Sequence, residues 1–202
     1  MIINFTNNKK ALEEYLKNSL TPERYIHSLG VEKMAGKLAR IHGANPDKAE
    51  FAGRYHDIAK CFSAEEANEY IKKYGLPNKY LNNTALSHSK IAAEILLHEF
   101  SVTDVDILNA VRSHTTGRDG MSLLEEIVYV ADAIEENRNY PELTELQQTA
   151  YSDLDSACFE IINFAIQMLK DKGKEIDQDT IKAREFIKEK TGEKHEKQRD
   201  RS

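Results

Sequence analysis

Cysteines and long apolar runs are both scarce in this chain of 202 residues. The two cysteines, Cys61 and Cys158, form no Cys-x-x-Cys pair, which argues against a thiolate metal site and favours reduced thiols over a disulfide. No run of about 18 apolar residues is present, so no membrane-spanning helix is expected. The first eight residues lack the apolar region of a signal peptide, and we therefore expect a cytoplasmic protein.

Basic residues are outnumbered by acidic ones, 28 to 34, which gives a net charge of −6. A chain with this balance offers no general basic surface, so we expect neither nucleic acid nor a membrane as a partner. An anionic substrate would need a local basic patch or a metal. With 40% hydrophobic and 31% charged residues, the chain has an ordinary globular composition and a length that suits one domain.

Strand-like alternation is missing, whereas apolar residues recur at helical spacing along the chain. Thr21-Pro22-Glu23 marks a helix start, because threonine can cap and proline suits the first helical position. Two capping boxes mark further starts: Ser63 with Glu66, and Ser122 with Glu125. Natural helix stops follow the apolar stripes at Gly43, Gly75, Gly117 and Gly173. The pattern predicts an all-α bundle of about eight to ten helices.

No repeat or interdomain linker divides the chain. We expect an N-terminal helix in residues 1–20, packed on the domain, and a helical core with C-terminal helices in residues 21–190. Residues 191–202 are almost wholly polar, which predicts a disordered tail. The polar stretch 76–84 is expected to be a mobile loop.

The stretch from Tyr55 to Lys60 places an imidazole, on His56, directly beside a carboxylate, on Asp57. A lone histidine on an apolar stripe is usually a satisfied core residue. Here the arrangement recurs at four further positions on separate predicted helices: His27, His88, His114 and Asp132. Burying such groups is costly unless they are paired or bind a metal, so the six residues together predict a shared site.

Histidine nitrogens and carboxylate oxygens together suit iron, manganese, cobalt or zinc. A structural zinc site would more often use cysteines. Six candidate ligands exceed what one ion needs if positions stay open for water and substrate. Two ions sharing Asp57 would use them well, and such two-metal sites activate water during phosphoryl displacement. One ion and two ions both remain open from the residues alone.

Cationic side chains follow the predicted ligands closely. Arg118 comes just after His114-Thr115-Thr116-Gly117, and Arg138 comes six residues beyond Asp132. Both can neutralise phosphate, which arginine can bind with two parallel hydrogen bonds. Lys60, one turn after the histidine of the His-Asp pair, is placed similarly. For each cation the alternative is a solvated surface charge, and the remaining histidines are expected to be exposed or structural: His42, His98 and His195.

The order of these residues resembles the HD-domain metal-dependent phosphohydrolase superfamily, in which a histidine precedes a His-Asp pair and an aspartate follows. Four segments resemble more closely its bacterial YqeK-like branch: Arg24–Ser28, His56–Lys60, His114–Gly117 and Ala131–Glu135. Members of that branch are symmetrical bis(5′-nucleosyl)-tetraphosphatases. The resemblance covers Pro22–Phe186, which is nearly all of the chain expected to be ordered.

This resemblance implies hydrolysis of diadenosine tetraphosphate to two ADP by a metal-activated water. It implies a bound metal, with iron favoured over manganese, cobalt or zinc. Four residues would hold this metal: His27, His56, Asp57 and Asp132. The resemblance also implies catalytic roles for Asp57, Lys60, His88 and His114, of which the two histidines would bind a second metal or the product phosphates. Substrate contacts are implied for His27, His88, His114, Arg118, Asp132, Arg138 and residues 173–180.

Two other functions remain open at this point. An HD phosphohydrolase could act on another nucleotide, or metal and nucleotide could hold a regulatory conformation without turnover. A guanosine-tetraphosphate hydrolase is disfavoured, because that branch usually follows the HD pair with a Glu-Asp pair and Ile58-Ala59-Lys60 supplies neither acid. A homodimer is left open as the assembly.

Overall fold

A computed structural model describes the backbone of residues 5–199 and the side chains of residues 5–192. Within that range the chain forms ten α-helices and one 3₁₀ turn, without strands, which confirms the predicted all-α bundle. The helices are α1 Lys9–Ser19, α2 Pro22–His42, α3 Pro46–Tyr55, α4 Ala64–Tyr74, α5 Thr84–His98, α6 Val105–Ser113, α7 Leu123–Ile134, α8 Leu143–Ser152, α9 Leu154–Asp171 and α10 Gln178–Arg199.

Predicted helix ends agree with the structure at the three predicted caps and at Gly43 and Gly75, whereas α6 ends at Ser113, four residues before the predicted stop at Gly117. The hydroxyl of Thr21 accepts a hydrogen bond from the backbone N–H of Arg24, and Pro22 is the first residue of α2. Both capping boxes form their reciprocal hydrogen bonds. Gly43 ends α2 with φ of +77°, a left-handed conformation that glycine adopts at little cost.

Two segments differ from the predictions. The stretch 76–84 contains the 3₁₀ turn Asn78–Tyr80 and buries the ring of Tyr80, so a polar run is anchored by one aromatic residue. The backbone of residues 191–199 continues α10, where the sequence predicted a disordered tail; residues 200–202 lie outside the described range. Polar composition alone does not stop a helix, because lysine, glutamate and glutamine are good helix formers.

Helix α7 lies at the centre of the bundle. It packs against α2, α3, α6, α8 and α9, and its residues from Leu124 to Ala131 are all buried. A helix that is covered on every side belongs to the interior of the domain. Helix α1 packs on this core through Leu12 and Leu16, and no helix in the described residues is long and apolar enough to cross a membrane.

The close approach of α2 and α3 depends on Gly53. A Cβ atom at this position would lie only 2.9 Å from the carbonyl oxygen of Val31, so a larger residue would push the helices apart. The turn that follows α3 is thereby held against α2 and α7, which carry further predicted ligands. Helix packing thus sets the positions of the side chains at the predicted site.

Candidate metal centre

The structure brings the six predicted ligands into one cluster. His27 lies on α2, His56 and Asp57 follow α3, His88 lies on α5, His114 follows α6, and Asp132 lies on α7. Five of them are buried and Asp132 is partly exposed. Their nitrogen and oxygen atoms form three overlapping groups, and within each group all of the atoms lie within 4.8 Å of one another.

All four histidines of the cluster present the same ring nitrogen to its centre. Each Nδ1 atom faces an acceptor: Gly53 O at 2.7 Å from His56, Thr84 O at 3.1 Å from His88, Val111 O at 2.8 Å from His114, and Glu135 Oε1 at 3.1 Å from His27. Carbonyl and carboxylate oxygens only accept, so Nδ1 carries the proton in every case. The lone pair of each Nε2 is left to face the cluster, as in metal-binding histidines.

Two imidazole nitrogens converge on two carboxylates at one end of the cluster. His27 Nε2 lies 3.0 Å from Asp132 Oδ1 and 4.0 Å from Asp57 Oδ2, and His56 Nε2 lies 3.5 Å from the latter oxygen. Within the described part of the chain, both Nε2 atoms and Asp57 Oδ1 are buried without a hydrogen bond. Lone pairs that converge in this way need a cation between them, so the residues present fit a metal ion.

The electrostatics of the cluster favour added positive charge. Burial raises the pKa of Asp57 and of Asp132, but the neighbouring His56 and His27 outweigh it and hold each pKa well below the usual range. Burial lowers the pKa of His114 to about 4, whereas the charge of Asp57 outweighs burial at His56 and raises its pKa. Two ionised carboxylates therefore lie among the imidazoles, and either a proton or a metal cation would stabilise them.

A lysine occupies the other end of the cluster. Lys60 Nζ lies 3.0 Å from His88 Nε2 and 3.6 Å from Asp57 Oδ1. The same carboxylate oxygen is 3.2 Å from His88 Nε2 and 3.3 Å from His114 Nε2. An ammonium group thus sits beside the three atoms that a second metal ion would share.

Two arginines bind the carboxylates of the cluster. Arg138 lies in the turn after α7 rather than on a continued helix, and its Nη2 atom donates to Asp132 Oδ1 at 2.6 Å. Arg24, to which sequence reasoning assigned no role, donates from Nη1 to Asp57 Oδ2 at 3.3 Å. Its position one turn before His27 on α2 was the available signal.

Arg118 differs from the other cations that were predicted to bind substrate. Its guanidinium donates to both carboxylate oxygens of Glu125, each at 2.6 Å, and to the carbonyl of Asp119. The side chain is therefore bound at the start of α7 by an acid that the sequence indicated only as part of a capping box. Neither Arg118 nor the segment 173–180 lines the cavity beside the cluster, so their substrate contacts stay predictions.

A cavity of about 550 Å³ opens beside the cluster, a volume in the range of small-molecule sites. Its end at the cluster is polar, lined by Lys60, His114, Thr115, Asp132 and Arg138. Its other end is largely apolar, lined by Tyr129, Tyr140, Leu146, Ile161, Phe164 and Met168, with three exposed glutamates, Glu142, Glu145 and Glu160, also along the cavity. Phe164 is 60% exposed, so a large apolar side chain remains available to a ligand. The cavity suits a molecule with a charged part and a flat apolar part.

The remaining histidines lie outside the cluster where their side chains are described. His42 Nε2 lies 2.7 Å from the carbonyl oxygen of Ala150, which joins α2 to α8. His98 stacks on Tyr74 at the surface. The side chain of His195 lies beyond the described range.

Glu135 is a residue of the site that sequence reasoning quoted only within a motif. It is 1% exposed, and its Oε1 accepts the Nδ1–H of His27. Its Oε2 accepts from the backbone N–H of Asn137 at 2.7 Å and from the Asn137 amide at 2.8 Å. A carboxylate in this position fixes the ring orientation of a metal-binding histidine and raises its basicity. Its position three residues after Asp132 was the available signal.

Replacing Glu135 with glutamine should weaken metal binding by roughly 10- to 100-fold, because the amide keeps the shape but removes the charge that supports His27. A competition titration against a chelating dye measures the change. Glu136→Gln is the matched control, since Glu136 is exposed and pairs with Lys33. Equal metal affinity in both variants would contradict a supporting role for Glu135.

Known proteins resemble the chain in sequence and in structure. The HD domain family matches residues 24–137. The symmetrical bis(5′-nucleosyl)-tetraphosphatase of Bacillus subtilis is 40% identical over 82% of this chain and 90% of its own length. A protein of the same name from Halalkalibacterium halodurans is 37% identical, over 87% and 94% respectively.

A solved structure from Clostridium acetobutylicum, described as a predicted HD superfamily hydrolase involved in NAD metabolism, has a TM-score of 0.85. It is 36% identical, and the match covers 90% of this chain and 97% of that one. The matched HD region contains all six clustered residues. The chain therefore belongs to the HD domain family, in the branch whose curated bacterial relatives are named symmetrical bis(5′-nucleosyl)-tetraphosphatase.

Proposed function

We infer that this chain is a hydrolase that cleaves diadenosine tetraphosphate symmetrically into two molecules of ADP. The observation that carries this inference is the cluster of four histidines and two carboxylates at the polar end of a cavity whose other end is apolar. Two bacterial relatives named for that activity match this chain over 90% and 94% of their own length. A nucleotide matches the cavity, since its phosphates are charged and its base is flat and apolar.

A divalent metal fits the end of the cluster at which His27 and His56 meet the two aspartates. These four residues would hold it, and the resemblance to HD hydrolases favours iron over manganese, cobalt or zinc. When bound, such an ion acts as a Lewis acid that lowers the pKa of water and polarises phosphoryl oxygens. His27 and His56 would present Nε2 to such an ion, because the Nδ1 proton of each is already donated to an oxygen.

The position of Lys60 favours one metal ion per chain over two. Its ammonium lies beside Asp57 Oδ1 and His88 Nε2, where it supplies positive charge without a second metal. Lys60 would then donate to phosphoryl oxygens and offset the charge that builds on the departing diphosphate, while His88 Nε2 accepts a hydrogen bond from Lys60 and positions it. We expect one ion per chain after loading with manganese and removal of free metal, measured by elemental analysis. Two ions per chain would contradict this role of Lys60.

Arg138 is placed so that its guanidinium can exchange the carboxylate of Asp132 for a substrate phosphate. A cation between the carboxylates would weaken the hold of Asp132 on the guanidinium, which lines the cavity and could then bind a substrate phosphate. The aromatic residues at the far end of the cavity, Tyr140 and Phe164, would contact the adenine base. The chain's own residues thus neutralise the phosphates and position one nucleoside.

Replacing Arg138 with alanine should raise the KM for diadenosine tetraphosphate by roughly 10- to 100-fold, because a charged hydrogen bond is lost. Arg138→Lys should restore only part of the loss, since lysine lacks the planar fork. The melting temperature should change little, as Arg138 is half-exposed. Arg40→Ala serves as a control on an exposed arginine of α2. A large fall in stability with unchanged KM would make Arg138 a structural residue.

Product analysis in oxygen-18 water tests the reaction itself. Symmetrical cleavage should release two ADP, with label on the terminal phosphate of one of them. Formation of AMP and ATP would contradict symmetrical cleavage, and no turnover with iron or manganese would contradict the assignment as a hydrolase.

A further inference from the structure

We propose that the second half of the substrate, an adenosine diphosphate, binds in a separate, smaller cavity that contains Arg24, Ile26, His27 and Arg138. This inference rests on the proposed hydrolysis of a dinucleoside tetraphosphate. The cavity has a volume of about 340 Å³. His27 and Arg138 belong both to this cavity and to the cluster, so the cavity reaches the metal centre without passing through the large one.

The metal centre is therefore open to two cavities, which share Arg138. Asp132 lines the larger cavity and is bound by Arg138, whereas Asp57 is bound by Arg24, which lines the smaller one. Each cavity is thus lined by an arginine that is paired with a carboxylate of the cluster. A cation at the cluster would weaken both pairs and leave an arginine for phosphate on either path.

Symmetrical cleavage requires such an arrangement. The bond that breaks lies at the middle of the tetraphosphate, so two phosphates and one nucleoside extend from the cluster in each direction. The larger cavity already contains the apolar wall that suits one base. The other nucleoside diphosphate needs a second path that starts at the same cluster and carries its own cation. The smaller cavity provides that path, and Arg24 is its cation.

Ile26 gives the smaller cavity an apolar contact for a base. It is 52% exposed, although most large apolar side chains of this chain are buried. Two acids, Glu23 and Glu135, also line this cavity, and they differ in how far their charges are already compensated. Glu135 is occupied by His27 and Asn137. Glu23, at the exposed start of α2, accepts from the Thr21 side chain and from its own backbone N–H, and the remaining lone pairs of its carboxylate suit ribose hydroxyl groups.

The experiment compares a two-ended ligand with a one-ended ligand. Diadenosine tetraphosphate needs both cavities, whereas adenosine 5′-tetraphosphate, used as a competitive inhibitor, needs only one nucleoside site. Ile26→Asp should raise the KM for diadenosine tetraphosphate by about tenfold and raise the inhibition constant of adenosine 5′-tetraphosphate much less. Ile26→Tyr, which enlarges the flat surface, should lower the KM.

Ile41→Asp is the matched control, because Ile41 lies on the same helix and is 45% exposed but is remote in sequence from the cavity. It should change neither constant. Equal shifts of the two constants in Ile26→Asp, or no shift of either, would overturn the inference. If the wild-type protein releases no ADP from diadenosine tetraphosphate, the proposed function itself fails; if it does and Ile26→Asp keeps its KM, only the second site fails.

Discussion

Asp57→Ala should lose its bound metal and reduce turnover of diadenosine tetraphosphate by at least about 10³-fold, since the preorganised charge at the reacting centre is removed. The carboxylate of Asp57 contacts all four histidines of the cluster. One carboxylate oxygen faces His88 and His114, and the other faces His27 and His56. The variant should stay helical, because α3 ends at Tyr55, before the substituted position.

The measurements are elemental analysis, circular dichroism and release of ADP under identical loading conditions. Asp106→Ala is the matched control, as Asp106 is exposed and pairs with Lys48 on the surface. A variant of Asp57 that keeps both its metal and its activity would refute the role of this carboxylate as a ligand.

Removing the metal from the wild-type protein should lower its melting temperature substantially. The ligands come from α2, the turn after α3 and α7, so one ion ties three parts of the bundle together. A ligand present at a thousand times its dissociation constant stabilises by ~4 kcal/mol. For a chain of this size each kcal/mol corresponds to roughly 2–4 °C, so a fall of about 10 °C is expected.

Scanning calorimetry before and after chelation measures this fall, and added manganese should reverse it. Asp57→Ala provides the control, because a protein that holds no metal should not respond to the chelator. An unchanged melting temperature in a wild-type protein from which the metal has demonstrably gone would separate metal binding from stability.

Local sequence patterns were sufficient for most of the helices, with α8 the exception, and for the membership of the cluster. Capping residues such as Thr21 fix helix starts through contacts only three residues away, and the apolar stripes correctly indicated that His27 and His88 face inward. The partners of charged side chains depend instead on tertiary packing. The sequence placed Arg118 and Arg138 alike, yet one binds Glu125 and the other binds a carboxylate of the cluster.

The cavity was beyond sequence reasoning for a similar reason. Its apolar end joins residues from α7, α8 and α9, and the sequence indicated no separate helix between Pro141 and Leu154. Tyr140 and Phe164 carry no signature of a ligand site on their own, because exposed aromatic residues are common. Only the packing of α8 against α9 shows that they form a wall beside the cluster.

The Nδ1 contacts described above also bear on how this metal centre can change during evolution. Main-chain carbonyls of Gly53, Thr84 and Val111 orient three of the four histidines, and no point substitution removes a main-chain oxygen. The fourth histidine alone is oriented by a side chain, that of Glu135. Among these four supports, heritable variation can therefore act directly on one, and metal affinity in descendants of this chain should diverge first through position 135.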